Sequence, residues 1–497
     1  FSMQQSQDEK LKGIGNGLSY NSLWYNLAGG SASNTSSSGF TKTNLMSYLA
    51  RANYVYKDKY FVTASIRFDG SSKLAEGNKW GSFPSAAVAW RVSGEEFMKS
   101  LSWLSNLKLR LSYGQTGNDN VSAYQTQGSI SGAKYYTFGS SESIGYVPNN
   151  LRNLDLGWER TTEYNVGLDF GFFNNRISGS VEYYNRLTED LIMNKTVPVT
   201  TGYSSVKANV GSVRNEGFEV NINSDNIRTK DFSWRTSLNF AYNKNKIVDL
   251  QYKENLTSRG LSLAGMSGDY SNLWIIGQPI DINYNLMTLG VWQLDEAEEA
   301  AKYFKDSKKT QPFKPGDIKL RDLNGDYIID DKDETYLGSQ SPKWTGGFNN
   351  NFSYKNFDLN VYIIARWGQM IDYELTGSYD PQGKGNFPAY LNYWTPENPS
   401  NDFPRPAQTN FYNYLGYQTL NYIDGSYWKI KTVSLGYTFP KSLTSKLGVS
   451  KLRAYVTANN LFSFAKNHLI QDYDAERGGS AKAPLQRQFI FGLNLDF

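Results

Sequence analysis

Along most of this chain apolar and polar residues alternate with a period of two, and charged residues recur on the polar side. The C-terminal stretch QRQFIFGLNLDF puts Phe489, Phe491, Leu493, Leu495 and Phe497 on one face of an extended segment. Gly492, Asn494 and Asp496 fall on the other, with Ile490 the one apolar exception. Successive strand side chains point to opposite faces, so this period marks a half-buried strand. The segment YFVTASIRFDG sets Tyr60, Val62, Ala64, Ile66 and Phe68 against Thr63, Ser65, Arg67 and Asp69. NLKLRLSYG, EYNVGLDFG, FSWRTSLNFAY and FDLNVYIIARW repeat the rhythm, with Lys108, Arg110, Asp169, Arg235 and Arg366 on the polar side. Charge on the second face demands water or polar partners. A membrane barrel with an apolar exterior and a wet interior meets that demand. So does a soluble sandwich that buries the apolar face and exposes the polar one.

Connection lengths discriminate between the two. Short turns, YKDKY (56–60), FFNNRI (172–177) and YKNF (354–357), alternate with long excursions. The long ones cover 7–46, 115–157, 245–342, 369–426 and 464–486, with shorter ones at 70–79 and 190–212. Short turns at one end and long loops at the other are the pattern of outer-membrane barrels. The spacing predicts about 14 antiparallel transmembrane strands. They lie at 1–6, 47–56, 59–69, 79–92, 103–114, 158–171, 176–189, 213–224, 232–244, 343–354, 357–368, 427–439, 450–463 and 485–497. With the C-terminus on the periplasmic side, every long segment falls outside the cell. The 245–342 excursion leaves room for an extra hairpin, and LDEAEEAAKYFKD (294–306) reads as a short helix with Asp295 as N-cap.

Composition agrees with a barrel. There is no apolar run of 18 residues, which excludes a transmembrane helix but not spanning strands. Apolar residues make up 39%, yet 36 Tyr, 27 Phe and 12 Trp are present. Aromatic girdles at the membrane boundary account for such an excess, and so do platforms for sugar rings. A formal charge of +4 argues against nucleic acid as partner. The chain opens on FSMQQ in strand rhythm, with no secretion signal before Phe1, so an N-terminal portion is expected to precede it.

The sharpest local motif is DLNGDYIIDDKD, 322–333. Oxygens of Asp322, Asn324, Asp326, Asp330 and Asp333 stand at loop positions 1, 3, 5, 9 and 12, and the Ile328 carbonyl at position 7. This is the spacing of a calcium loop, and the cation, Ca2+ or another hard ion, would be structural. Position 6 is Tyr327, where the sharp turn prefers glycine, and position 12 is Asp rather than Glu. An acidic solvated turn explains the same residues. No catalytic residues are assigned: His468 is the only histidine and there is no cysteine. Among the loop aromatics, Trp274, Trp292, Tyr393, Trp394 and Tyr422 are candidate substrate-stacking residues, with Tyr270 and Tyr427 beside them.

Several stretches resemble the SusC/RagA-like TonB-dependent outer-membrane transporters: YVYKDKYFVTASIRFDGSSKLAEGNKWGSFPSAAVAWRVSGEEF, LKLRLSYGQTGN, LRDLNGDYIIDDKDETYLG, YWTPENPS and the aromatic last strand. The resemblance implies that residues 1–497 are the C-terminal part of a barrel of about 22 strands, with an internal plug, in a Bacteroidetes-like outer membrane. It also implies a SusD-like surface lipoprotein as lid, and import of oligosaccharides or peptides driven by the TonB–ExbB–ExbD complex through the preceding portion. An open sheet edge in lipid is untenable, so that portion is expected to pair with the first and last strands. The terminal Phe497 resembles the signal read by the barrel insertion machinery. Two alternatives remain open at this point. One is a secreted or surface calcium-stabilised β protein binding glycans. The other is a surface hydrolase, which the sparse catalytic residues disfavour.

Overall fold

The computed structural model describes residues 1–17, 35–250, 254–255, 267–269, 274–374, 391–406, 417–445, 448–471, 473–480 and 485–497. Tyr270 lies outside them. Fourteen strands form one antiparallel sheet in which every strand neighbours its sequence predecessor and successor. They are β1 Ser2–Ile14, β2 Thr35–Tyr56, β3 Tyr60–Ser71, β4 Trp80–Arg91, β5 Leu104–Asn118, β6 Glu159–Phe172 and β7 Ile177–Glu189. The rest are β8 Ser212–Arg228, β9 Phe232–Asp249, β10 Trp344–Tyr354, β11 Phe357–Trp367, β12 Tyr427–Thr438, β13 Lys451–Ala465 and β14 Gln488–Asp496. All fourteen expected strands are present, and short and long connections alternate except at 72–79, which is shorter than the following connection, 92–103. Among the described residues no helix is long and apolar enough to cross a membrane.

The apolar strand faces are open. Val62, Ile66 and Phe68 are exposed on β3, and Phe491 on β14 keeps 80% of its surface. A soluble fold would bury these rows, whereas lipid is their natural solvent. On the same face aromatic rings run from strand to strand. Phe218 stacks on Phe240 at 5.7 Å, Phe240 on Trp344 at 5.7 Å, and Trp344 on Trp367 at 5.9 Å. Trp428 and Phe464 pair at 4.0 Å farther along. Such a row is what a membrane-boundary girdle requires.

The short turns hold left-handed residues that tolerate the tight reversal. Lys57 and Asp58, in the three-residue connection between the paired Tyr56 and Tyr60, both have positive φ, 50° and 55°. Asn174 and Asn175 share φ 59° in the next short turn.

Three expectations are corrected. The 7–46 excursion is strand at both ends: β1 runs on to Ile14 and β2 starts at Thr35, with Asp8 opposite Thr41 in the ladder. Apolar alternation stops there, but backbone pairing does not need it. The helix at 294–306 is one short 3-10 turn, Leu294–Glu296, leading into Ala297–Ala300. Its N-cap is Gln293, not Asp295, because the Gln293 N–H donates to Glu296 Oε2 in a capping box. Finally, 245–342 carries several small pairings rather than a single extra hairpin: Ser267–Asp269 with Glu254–Asn255 and Trp274–Ile275, Ile282–Leu286 with Glu334–Ser339, and Thr288–Val291 with Ile318–Leu320.

The chain divides into two compact units. In the first (Phe1–Val88, Ser112–Tyr164 and Arg186–Ser212), a core of Leu74, Phe83, Val121, Leu156 and Trp158 sits under the loops. The second (Ala89–Leu111, Asn165–Asn185 and Val213–Phe497) has a core built entirely by loop residues. Leu286, Trp292, Phe313, Ile318 and Ile329 of one excursion pack there with Leu391, Phe403 and Leu420 of the next.

Candidate functional site

On the polar face of the sheet, charges are mostly paired across strands. Arg110 Nε donates to Asp169 Oδ2 at 2.9 Å, and its Nη2 donates to Asp169 Oδ1 at 2.8 Å and Glu182 Oε1 at 2.7 Å. Gly167 makes room for this fork: a Cβ there would lie 2.8 Å from the guanidinium. Arg67 bonds Asp69 at 2.6 Å, and Arg235 pairs with Asp225 at 2.7 Å. The period of two brings opposite charges to one face, across neighbouring strands for Arg110 and Arg235 and along β3 itself for Arg67 and Asp69. Arg366, expected on this face, is there too, with Thr345 opposite it in the ladder. Lys108 shares the face of Arg110 on β5.

The acidic loop of the second unit is closed by its own backbone. Asp322 Oδ1 accepts from the Gly325 N–H at 2.7 Å and Oδ2 from the Tyr327 N–H at 2.9 Å. Asn324 accepts from Asp326, Asp326 from Ile328, and Asp330 from Lys332. Asp333 has no exposed surface and ties the two ends, accepting from the N–H of Leu323 at 2.8 Å and of Asp330 at 2.9 Å. Burial pushes its carboxyl above the ordinary value against the pull of those donors. Among the described residues no three His, Cys, Asp or Glu converge as a metal centre would require. The donors at 322, 324, 326, 328, 330 and 333 lie in one loop, but the oxygens named above face backbone N–H groups.

The sharp turn falls at the expected position 6. Tyr327 has φ 63°, and its ring packs on Tyr303 at 5.2 Å. A left-handed non-glycine residue costs about 1–2 kcal/mol, which glycine avoids. Tyr327→Gly is therefore expected to be more stable than Tyr327→Ala by about 1 kcal/mol, since both lose the ring and only alanine keeps the strain. Thermal unfolding of the two variants checks this, and equal midpoints would show the turn is unstrained.

The aromatic candidates separate by burial. Trp292 and Trp394 are each only 4% exposed and belong to the loop core, which corrects their assignment as stacking platforms. Trp394 Nε1 donates to Gln293 Oε1 at 3.0 Å, and Lys319 lies 4.4 Å from the Trp292 ring centre. Their faces are occupied because the loops needed an apolar core of their own. Tyr393 remains 41% exposed, while Trp274 and Tyr422 are half-buried. Tyr427, at the start of β12, is buried in a second loop cluster with Ile371, Tyr373 and Ile423.

Two ionic clusters were not foreseen. Lys305 Nζ donates to Asp317 Oδ2 at 2.7 Å and Arg405 reaches Asp317 Oδ1 at 3.1 Å, joining the two excursions. On β12, Lys429 and Lys431 meet Asp474 and Glu476 from the segment after β13. Lys429 Nζ donates to Asp474 and, at 3.0 Å, to Glu476, while Lys431 donates to Glu476 at 2.7 Å. A register shift between Ile430 and Thr432 bulges the strand at Lys431, which re-aims it. Alternation with Lys at 429 and 431 was the one signal available, and their partners are more than forty positions away. His468 Nε2 lies 3.4 Å from Asp402 Oδ2.

A family model described as TonB dependent receptor-like, beta-barrel matches residues 4–461. TonB-dependent receptor P3 of Formosa agariphila is 34% identical, over 100% of this chain and 50% of its own length. TonB-dependent receptor SusC of Bacteroides thetaiotaomicron is 31% identical, over 92% of this chain and 44% of its own. Among solved structures, that of the RagAB peptide transporter superposes with a TM-score of 0.78 at 25% identity, covering 100% of this chain and 53% of that one. The chain spans about half the length of the curated relatives it matches.

Proposed function

We propose, because the chain belongs to the TonB-dependent receptor-like β-barrel family of the outer membrane, that it supplies barrel wall and outer loops to a nutrient importer of the SusC/RagA kind. The observation that carries this reading is the pairing of an open apolar face on β3 and β14 with a cross-bonded polar face. The cargo is an oligosaccharide or a peptide, captured beneath a SusD-like lipoprotein and drawn in by TonB–ExbB–ExbD. Half-length coverage of the relatives, and β1 and β14 at the two ends of the strand order, support a plug-bearing portion that pairs with both strands. The setting is a Bacteroidetes-like outer membrane, as for the relatives from Formosa and Bacteroides. Tyr393, Trp274 and Tyr422 remain the aromatic side chains with surface to offer a substrate.

Mass spectrometry of what co-purifies with this chain from detergent-solubilised native outer membranes tests the proposal. A plug-bearing segment and a surface lipoprotein at equal stoichiometry are expected. Recovery of the chain alone, soluble after detergent removal, would overturn it and favour a secreted glycan-binding protein.

The loop at 322–333 is proposed to take calcium weakly and structurally. A cation must compete with the loop's own N–H donors, and the position-12 Asp333 is committed to two of them. Affinity in the range of extracellular calcium modules, roughly 0.1–1 mM, would make 1 mM calcium worth about 0.4–1.4 kcal/mol. Calcium, but not magnesium, should slow proteolysis within 322–333 of the purified transporter. Identical cleavage with calcium and with a chelator would remove the metal from the account.

A further inference from the structure

At the loop end of the sheet, beside the row of outward rings, the second unit carries an open recess of about 530 Å³. Tyr242, Lys244, Lys343, Trp367, Asp424 and Lys466 are among its walls. Tyr242, Trp344 and Trp367 stand opposite one another in the ladder of β9, β10 and β11, so the recess adjoins the aromatic row. Lys244 lies two positions beyond Tyr242 on β9, and the period of two returns it to the ring face, about 7 Å nearer the loops. Lys466 lies two positions beyond Phe464 and extends the β12–β13 ladder by donating its N–H to the Ser426 carbonyl at 2.8 Å. Its Nζ is 5.9 Å from the Trp367 ring centre.

Lys343 enters from the turn before β10. Its stem crosses Gly368, where φ is 85° and a Cβ would lie 2.9 Å from Lys343 Cγ. A bare backbone holds that place open. Lys343 is exposed, and the Lys244 and Lys466 side chains keep more than half their surface. One carboxylate shares the recess: Asp424 lies 2.6 Å from Lys466 Nζ. Glu216, outside it, approaches Lys244 only to 3.9 Å. Three cations against one anion leave the recess with an excess of positive charge.

Resting on the outer-membrane barrel reading, we infer that this recess binds the phosphorylated sugar head group of an outer-leaflet glycolipid. The ring row marks the membrane boundary, and the lysines stand one pleat beyond it, at the depth of lipid phosphates. A phosphate monoester carries about −1.5 to −2 charges at neutral pH, which offsets that excess. Ammonium groups bind it as point charges on flexible stems, a tolerance that a mobile lipid requires. The recess falls in the size range of small-ligand sites, roughly 300–1,000 Å³, so a sugar ring enters with the phosphate. A plug enclosed by the barrel does not reach this outward face, and β9–β13 neither begin nor end the strand order.

The test uses the full-length transporter purified in a non-ionic detergent. Its probes are radiolabelled monophosphoryl lipid A, the same lipid after phosphatase treatment, and inorganic phosphate. Lys244→Gln, Lys343→Gln and Lys466→Gln should each weaken binding of the phosphorylated lipid about fivefold, and the triple variant about a hundredfold. Replacing all three by Arg should keep affinity within about twofold of the wild type, because the charge is retained. Lys355→Gln, in the short turn at the opposite end of the sheet, should leave binding unchanged. Equal binding by the wild type and the triple glutamine variant overturns the inference. So do equal losses in Lys355→Gln, the sign of diffuse surface charge, and equal binding of the dephosphorylated lipid. Displacement of the lipid by an equimolar amount of inorganic phosphate would make this a site for the free ion and remove the lipid. A triple variant that binds lipid normally but changes oligomeric state would assign the recess to a contact between copies. A chain that stays soluble without detergent and shows no heat-modifiable barrel sinks the barrel reading itself.

Discussion

Lys429→Met is expected to release the segment between β13 and β14 from the polar face of the sheet. The Lys429 side chain is 1% exposed and is held between Asp474 and Glu476. Removing one partner of a buried ionic cluster typically costs about 3–5 kcal/mol, because the remaining charges stay desolvated without compensation. Here Lys431 still reaches Glu476, so the lower end of that range applies. Limited proteolysis should show new cleavage between 466 and 487 while the strands stay protected. Cleavage unchanged from the wild type would mean that the ring pair of Tyr373 and Tyr473, 5.6 Å apart, holds the segment without the ions.

Acid should imitate the substitution. Burial alone would raise the Glu476 carboxyl, but hydrogen bonds from Lys431 and Lys429 override it and hold it below the ordinary value. Asp424 is likewise held low through Lys466 and Ser426, despite its burial. A carboxylate with a depressed folded pKa contributes stability above its unfolded value near 4, and that stability is lost as pH falls through the folded value. Protection of the segment should therefore persist at neutral pH and fade below about pH 4. In Lys429→Met much of that dependence should vanish.

The second large effect is expected at Phe83→Ala. Phe83 is buried among Leu74, Val121, Leu156 and Trp158, with its ring edge-on to Trp158 at 5.4 Å. The ring lies over two glycines: a Cβ at Gly81 or Gly117 would sit 2.6 or 2.1 Å from it. Neither glycine has a side chain to fill the space it leaves, so a cavity is expected to remain there. Phe→Ala in such a core costs about 3–5 kcal/mol. The loss should appear as exposure of 72–79 and 119–158 to protease before the strands unfold. Gly117→Val should destabilise the same loops by displacing the ring. Wild-type protection in both variants would show that the cluster is not what fixes these loops.

Much of this was legible because a strand writes its two faces into alternate positions. Tyr60 to Phe68 and Phe489 to Phe497 announced an apolar row, and Arg67, Arg110 and Arg235 announced a polar one. The Arg110 fork was not legible, because Asp169 and Glu182 lie 59 and 72 positions away and Gly167 had to be bare. The aromatic loops misled for a related reason. Trp292 and Trp394 carry the same local sequence signature whether they face a ligand or each other's loops. Only loop packing buries them, Trp292 in the cluster with Phe313 and Ile318 and Trp394 beside Gly316.

The sequence by itself determined the number and order of the strands. Each is a local property of side-chain period and chain length between turns. It also placed the sharp turn of the acidic loop at Tyr327, where spacing along one segment suffices. Only the tertiary structure decided which charges compensate one another and which loop aromatics are core. Those outcomes depend on inter-strand register and loop packing, where groups far apart along the chain become neighbours and compete for the same hydrogen bonds.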